Sequence, residues 1–245
     1  MWLTVSWAVD EAADSMAVWR GNADGFRVST DIEEYGVNMT YYAAVRRNVA
    51  AYWRLMSITG SDDVQGWPDI DSLLVVDESI SGLTQPERRT MFTMWVLSQS
   101  PLYIGDDLSK IDDFGWSLLT NKNVLGLRGK LPSARYINAD SGDRNEWCAR
   151  QFWYAPVNGQ SDEFVVGFLN LGGDDADAES DHYLTWNYSW LGMSGEWVIS
   201  DVWTGNQVGS QSGSYTVLVK KHDSQLYLFK KKAGDRDEKG FLIEN

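Results

Sequence analysis

The sequence has few of the residues that disulfide-stabilised proteins and metalloproteins depend on. Its 245 residues include one cysteine, Cys148, and two histidines, His182 and His222. A single cysteine permits no internal disulfide. Zinc and related ions are usually bound by several cysteine, histidine or carboxylate side chains at regular spacing. We therefore expect neither an internal disulfide nor a bound metal ion.

Positive charge and long apolar runs are also scarce. The chain has 21 Lys and Arg against 35 Asp and Glu, so that its formal net charge is −14. This balance argues against nucleic acid as a partner, because phosphate neutralisation requires basic side chains. No apolar run reaches the 18 residues that a membrane-spanning helix needs. The N-terminus lacks a basic region and reaches Asp10 before any adequate apolar core, so that it is a poor signal peptide.

Strand-like and helix-like patterns alternate over the first half of the chain. Apolar and β-branched runs predict strands at 2–7, 26–30, 66–76 and 101–105, and 3.6-residue periodicity predicts helices at 10–20, 38–57, 84–99 and 111–127. The third helix opens with a capping box, Thr84 at the N-cap and Glu87 three residues later. Alternating strands and helices predict a parallel α/β architecture over residues 1–130.

The pattern changes after Leu131. Short strands alternate with turns rich in Gly, Asn, Asp and Ser over residues 131–232, which predicts an antiparallel β-sandwich. The last residues, 233–245, are charged and contain glycine, so that we expect a disordered tail.

The stretch Gly-Phe-Arg-Val-Ser-Thr-Asp-Ile at 25–32 combines two faces of different character. As a strand it places Arg27, Ser29 and Asp31 on one side and apolar residues on the other. In a barrel of strands and helices the polar face points into the lumen, and catalytic groups lie at the carboxyl ends of the strands. The alternative is a surface strand with a local Arg27–Asp31 pair, and this stretch alone does not separate the two.

Several motifs in order resemble one enzyme family. They are SWAV at 6–9, RVSTDI at 27–32, GWPDID at 66–71, a long run at 83–112, LLTNKNVLGL at 118–127 and DVWTGNQVG at 201–209. Together they resemble the C-terminal portion of glycoside hydrolase family 27, the α-galactosidase family. The resemblance implies the second half of a (β/α)8 TIM barrel followed by an antiparallel β-sandwich, and it implies no cofactor.

The resemblance also implies a retaining hydrolysis of α-linked galactose and assigns roles to individual residues. Asp31 corresponds to the general acid/base, and Arg27 to a residue that holds a sugar hydroxyl. Trp7, Ser6 and Asp71 correspond to residues that line the sugar pocket. The family's nucleophilic Asp lies on the fourth barrel strand, upstream of the sequence motifs found here, so that we expect this chain to be a fragment.

Two departures leave the substrate open. Ser6 stands where galactose-specific members often carry an acidic or cysteine-containing pair, and Pro68 is shifted within the 67–71 motif. The alternatives are a relative that acts on α-N-acetylgalactosamine, β-arabinopyranose or α-glucan ends, and an inactive sugar-binding or structural protein. Sequons at Asn38 and Asn187 give weak support to a secreted glycoprotein. The sequence predicts no oligomeric state.

Overall fold

The computed structural model describes residues 1–6, 12–34, 36, 38–59, 66–173 and 180–232. Within them the elements are β1 (Thr4–Val5), α1 (Ala13–Asn22), β2 (Gly25–Arg27), α2 (Tyr42–Thr59), β3 (Trp67–Asp69), α3 (Glu78–Ser81), α4 (Gln85–Leu97), α5 (Asp113–Leu119), α6 (Lys122–Leu125), β4 (Arg135–Asn138), β5 (Arg150–Pro156), β6 (Glu163–Asn170), β7 (His182–Asn187), β8 (Glu196–Asp201), β9 (Gln207–Ser212), β10 (Ser214–Val219) and β11 (Ser224–Lys231). The predicted tail at 233–245 lies outside the described residues.

The first half contains a small parallel sheet. Its strand order is β1-β2-β3, and Gly25 of β2 lies opposite Trp67 of β3. A fourth segment joins through an isolated parallel bridge, in which the Leu73 amide donates to the Tyr103 carbonyl at 2.8 Å and the Gly105 amide to the Leu73 carbonyl at 2.9 Å. The parallel arrangement that the sequence predicted is therefore confirmed, although the regular strands are shorter than expected.

The helices of this half differ from the predictions at their ends. The capping box of α4 is present, and α4 is buried from Glu87 to Leu97 except for Arg89. Helix α2 begins at Tyr42, so that the predicted start at residue 38 is wrong. The predicted helix at 111–127 is two short helices, because the side chains of Asp112 and Asn121 each accept backbone N–H groups and cap a new helix.

The second half is an antiparallel sandwich, as predicted. A six-stranded sheet, β4-β5-β6-β11-β8-β9, faces a two-stranded sheet, β10-β7. One face of the large sheet packs through Trp153 into the same apolar core as α2 and α4. The other face packs through Phe152 and Phe168 against Trp186 of β7. The large sheet is thus buried on both sides, and it is continuous with the core of the first half.

Polar contacts also connect α4 to the turn between β10 and β11. Arg89 Nε donates to Asp223 Oδ1 at 2.7 Å, and a second guanidinium nitrogen binds the other carboxylate oxygen. His222 Nδ1 lies 2.7 Å from Glu87 Oε1, and its ring stacks on Tyr42. His222 has a φ of 60° and lies in this turn. In the described ranges, no helix combines the length and the apolar character needed to cross a membrane.

Candidate functional site

The candidate site lies where the parallel strands end. Arg27 and Asp69 are the last residues of β2 and β3, and they occupy opposite positions in the parallel pair. Asp31 and Asp71 follow in the connecting segments. Because parallel strands end at one edge of their sheet, these four side chains meet there, as ligand sites of α/β folds commonly do.

Arg27 is the centre of the cluster. Its Nη1 donates to Asp31 Oδ1 and to Asp71 Oδ2, both at 2.8 Å, and its Nη2 lies 2.8 Å from Asp71 Oδ1. The Asp71 pair is thus bidentate, the geometry that the planar guanidinium favours. Arg27 Nε lies 3.7 Å from Asp69 Oδ2. Burial alone lowers the pKa of Arg27, but the neighbouring carboxylates outweigh burial and raise the pKa above its ordinary value.

The three carboxylates differ sharply in exposure. The side chain of Asp31 is 67% exposed, whereas those of Asp69 and Asp71 are 2% and 1% exposed. Asp31 is therefore the carboxylate of this cluster that a ligand can reach. Asp69 and Asp71 hold Arg27 in place.

Asp71 is fully engaged by its surroundings. Its Oδ2 accepts the Ile32 amide and its Oδ1 the Ser72 amide, both at 2.7 Å, in addition to Arg27. Burial raises the pKa of Asp71 despite these bonds. Its φ of 87° lies in the left-handed region that non-glycine residues rarely adopt, and the buried Trp95 indole holds the peptide by donating to the Asp71 carbonyl. With both oxygens occupied, Asp71 is not available as a nucleophile.

The sequence reasoning missed several neighbours of this cluster. The Tyr103 hydroxyl donates to Asp69 Oδ2, and burial, followed by that carboxylate, raises the pKa of Tyr103. Glu33 is half-buried and accepts a hydrogen bond from the Ser72 hydroxyl. Arg47 of α2 donates to the Asp31 carbonyl. A tyrosine in the middle of the short predicted strand at 101–105 was the one signal that could have indicated Tyr103.

The remaining predicted residues lie at the carboxyl end of β1, in the two sequons, or outside the described residues. Ser6 is exposed just after β1, and Trp7 lies outside the described residues. Asn38 is exposed in the segment before α2, and Asn187 is half-buried at the end of β7. Among the described residues, no group of three or more His, Cys, Asp or Glu side chains is arranged to hold a metal ion.

The chemistry available from these residues is proton transfer by one exposed carboxylate held by an arginine. Retaining glycoside hydrolysis needs two carboxyl groups about 5–5.5 Å apart, one as acid/base and one as nucleophile. Asp31 can serve as the first. The buried carboxylates of the cluster do not offer the second, because their oxygens already hold Arg27, Tyr103 and backbone amides.

Comparison with known proteins identifies relatives of both halves. Residues 149–229 match the family described as "Alpha galactosidase C-terminal beta sandwich domain". "Alpha-galactosidase 3" of Hypocrea jecorina is 24% identical over 242 residues, covering 94% of this chain and 38% of that protein. "Alpha-galactosidase 3" of Arabidopsis thaliana is 26% identical over 226 residues, covering 91% of this chain and 46% of that protein.

Solved structures share the fold. A GH27 β-L-arabinopyranosidase from Geobacillus stearothermophilus superimposes with a TM-score of 0.75 at 20% identity, covering 95% of this chain and 51% of that one. α-Galactosidase I from Mortierella vinacea gives a TM-score of 0.66 at 20% identity, covering 87% and 55%. The chain spans about half the length of these proteins or less. The resemblance seen in the motifs is confirmed: the chain is similar to α-galactosidases along most of its length, and residues 149–229 match their C-terminal β-sandwich domain.

Proposed function

We propose that this chain is the C-terminal part of a retaining glycoside hydrolase that removes terminal α-D-galactosyl residues. In this proposal residues 1–130 form the second half of a (β/α)8 barrel, residues 131–232 form the sandwich, and residues 233–245 are a tail. The observation that carries the proposal is the exposed Asp31 carboxylate, bonded to Arg27 beyond the carboxyl end of a parallel sheet.

Asp31 acts in this mechanism as general acid and then as general base. Its exposed carboxyl donates a proton to the departing glycosidic oxygen and later removes one from the attacking water. Arg27 orients Asp31 and contacts a sugar hydroxyl, and Ser6 and Trp7 line the sugar pocket. Asp71, whose side chain is 1% exposed, contributes to the pocket by holding Arg27. The nucleophilic carboxylate comes from the first half of the barrel, which a longer polypeptide would supply. No metal or organic cofactor takes part.

The sugar is proposed from the relatives. The curated relatives cited above are named as α-galactosidases, and one solved relative is an α-galactosidase from Saccharomyces cerevisiae with raffinose. Another is the β-L-arabinopyranosidase, solved in complex with arabinose. A comparison of α-galactosides with β-L-arabinopyranosides as substrates separates these two specificities.

The test uses the longest in-frame polypeptide that contains this chain. Asp31→Asn keeps the shape of the side chain but cannot transfer a proton, so that turnover of melibiose should fall by about 10²–10⁴-fold. Aryl galactosides with good leaving groups should lose less in the glycosylation step. Glu34→Gln is the matched control, because Glu34 is an exposed carboxylate in the same loop. Parent activity of the Asp31→Asn variant on melibiose would overturn the role of Asp31. The 245-residue chain alone is expected to be inactive.

The second candidate is a sugar-binding protein without turnover. It is favoured by the presence of a single reachable carboxylate in the Arg27 cluster. It predicts that the longer polypeptide binds melibiose but hydrolyses neither melibiose nor an aryl galactoside.

We also propose that the protein is a secreted glycoprotein, modified at Asn38 and Asn187. Asn38 is exposed, and Asn187 lies at a strand end. Mass spectrometry of protein recovered from the medium of the native host should show glycans at both positions. Unmodified asparagines there would contradict the proposal.

A further inference from the structure

A cleft lies between the end of α2 and the loop that joins β4 to β5. One part has a volume of about 150 Å³ and is lined by Trp53, Ser57, Arg144 and Asn145 among others. An adjoining part of about 360 Å³ is again lined by Trp53, Ser57 and Asn145. Trp53, Ser57 and Asn145 line both parts, which we together call the Trp53 cleft. The larger part falls within the range of roughly 300–1,000 Å³ that is typical of small-molecule sites.

The Trp53 cleft is separate from the Arg27 cluster. Helix α2 contacts that cluster through Arg47, which donates to the Asp31 carbonyl. Trp53 lies six residues further along the same helix, which at 1.5 Å per residue is about 9 Å along its axis. No residue of the Arg27 cluster lines either part of the cleft. The cleft and the Arg27 cluster therefore share no lining residue.

The Trp53 ring is a fixed platform. Its centroid lies 5.5 Å from that of Trp147 and 5.9 Å from that of Tyr136, at interplanar angles of 56° and 65°. Its indole nitrogen donates to the Arg144 carbonyl at 3.3 Å. The ring is nevertheless only half-buried and lines both parts of the cleft. A ring held from several sides loses little conformational entropy when a ligand binds, which favours binding.

Polar groups surround this ring. The Ser57 hydroxyl donates to the Trp53 carbonyl at 3.0 Å, and its oxygen can still accept. Asn145 and Arg144 are exposed and carry side-chain donors. An aromatic face with donors and acceptors at its edge fits a pyranose ring, whose C–H face packs on the electron-rich ring while its hydroxyls reach the polar groups. An apolar ligand would leave these polar groups without partners, and a small ion would not use the ring.

We propose that the Trp53 cleft is a second carbohydrate-binding site, which holds a pyranose unit of an oligosaccharide away from Asp31. The inference does not depend on catalysis at Asp31, since a sugar can bind at Trp53 whether or not Asp31 transfers a proton. In a polysaccharide-degrading protein such a site would keep the substrate close to the enzyme and raise its effective concentration.

The experiment measures binding of melibiose and raffinose to the 245-residue chain by saturation-transfer NMR and calorimetry. Trp53→Ala should raise the dissociation constant of the cleft about tenfold or more, and Asn145→Ala should raise it by roughly threefold to tenfold. Trp116→Ala is the matched control, because Trp116 is 60% exposed and lies outside the cleft. Asp31→Asn should leave this binding unchanged.

Three results would overturn the proposal. They are no binding at millimolar sugar, parent-like binding by both cleft variants, and loss of all binding in Asp31→Asn. If circular dichroism shows that Trp53→Ala is unfolded, Asn145→Ala decides, because its exposed side chain lies outside the apolar core. Inactivity of a longer polypeptide on α-galactosides would contradict the proposed hydrolysis and leave the cleft unaffected.

Discussion

Replacing Arg27 with methionine tests whether one guanidinium stabilises the whole candidate site. Methionine keeps an unbranched apolar side chain and removes the charge. The side chain of Arg27 is 12% exposed, and that of Asp71 is 1% exposed. Breaking a buried ion pair from one side costs roughly 3–5 kcal/mol, because the other charge stays buried without its partner. Asp71 keeps the Ile32 and Ser72 amides, so that we expect about 3 kcal/mol, at the lower end of that range.

The loss should depend on pH. Burial raises the pKa of Asp71 above 3.8, and Arg27 is among the groups that oppose this rise. A carboxyl group whose pKa is raised in the folded state lowers the free energy of unfolding as pH rises towards that pKa. Loss of Arg27 raises the folded-state pKa of Asp71 further, so that the decrease continues to higher pH. Above its pKa in the folded state the Asp71 carboxylate is charged and lacks a counter-charge, whereas below that pKa it takes up a proton and no longer needs one. The destabilisation should therefore be largest at neutral pH and should shrink on acidification.

Urea unfolding at pH 7 and near pH 4 measures this effect, and amide exchange at Ile32 and Ser72 localises it. Arg27→Met combined with Asp71→Asn is the control, since a neutral amide at residue 71 needs no cation. The double variant should recover much of the stability that the single variant loses at pH 7. A loss below about 1 kcal/mol at pH 7, or an equal loss at both pH values, would refute the reasoning.

Three other substitutions test neighbouring contacts by urea unfolding. Tyr103→Phe removes a donor to the buried carboxylate of Asp69, and it should cost roughly 1.5–3 kcal/mol; an unchanged midpoint would contradict that hydrogen bond. Burial raises the pKa of Asp106 to about 6. The folded protein therefore loses stability as pH rises through that value and the buried carboxyl becomes charged. Asp106→Asn should thus gain about 1 kcal/mol at pH 8 after allowance for partial exposure, and little near pH 4. Burial tends to raise the pKa of Glu87, but hydrogen bonds from His222 and Thr84 outweigh it and lower that pKa. The stability from this contact is present above pH 4.5 and is lost on acidification, so that His222→Gln should destabilise the chain at pH 7 and much less near pH 3.

The features that the sequence predicted depend on local patterns. Alternating strand-like and helix-like segments indicated the parallel sheet, and the capping box located the start of α4. The spacing of Arg27 and Asp31 suggested their contact, which the structure shows at 2.8 Å. These features require only neighbours in sequence or a repeated periodicity, and such information is carried by a single chain.

The features that the sequence did not predict depend on residues far apart. Asp71 adopts its positive φ because Ile32, Arg27 and Trp95 all hold it, and no pattern near residue 71 reveals them. Regular strand pairing stops at Arg27 and Asp69, so that period-two alternation overestimated both strands. Glu33 lies in a charged loop that suggests solvent exposure, but Ser72 of the next connection brings it into the site.

Helix α4 connects the sandwich to the candidate site, although the cluster around Arg27 contains no sandwich residue. On one side α4 presents the buried Trp95, whose indole donates to the Asp71 carbonyl. On another side Arg89 binds Asp223, whose side chain is 1% exposed. A helix held at both places transmits a displacement of the β10–β11 turn to the peptide of Asp71, because packed interiors deform little. The sandwich therefore acts as a support for the strained backbone of Asp71, and through Asp71 it fixes the position of Arg27 beside Asp31.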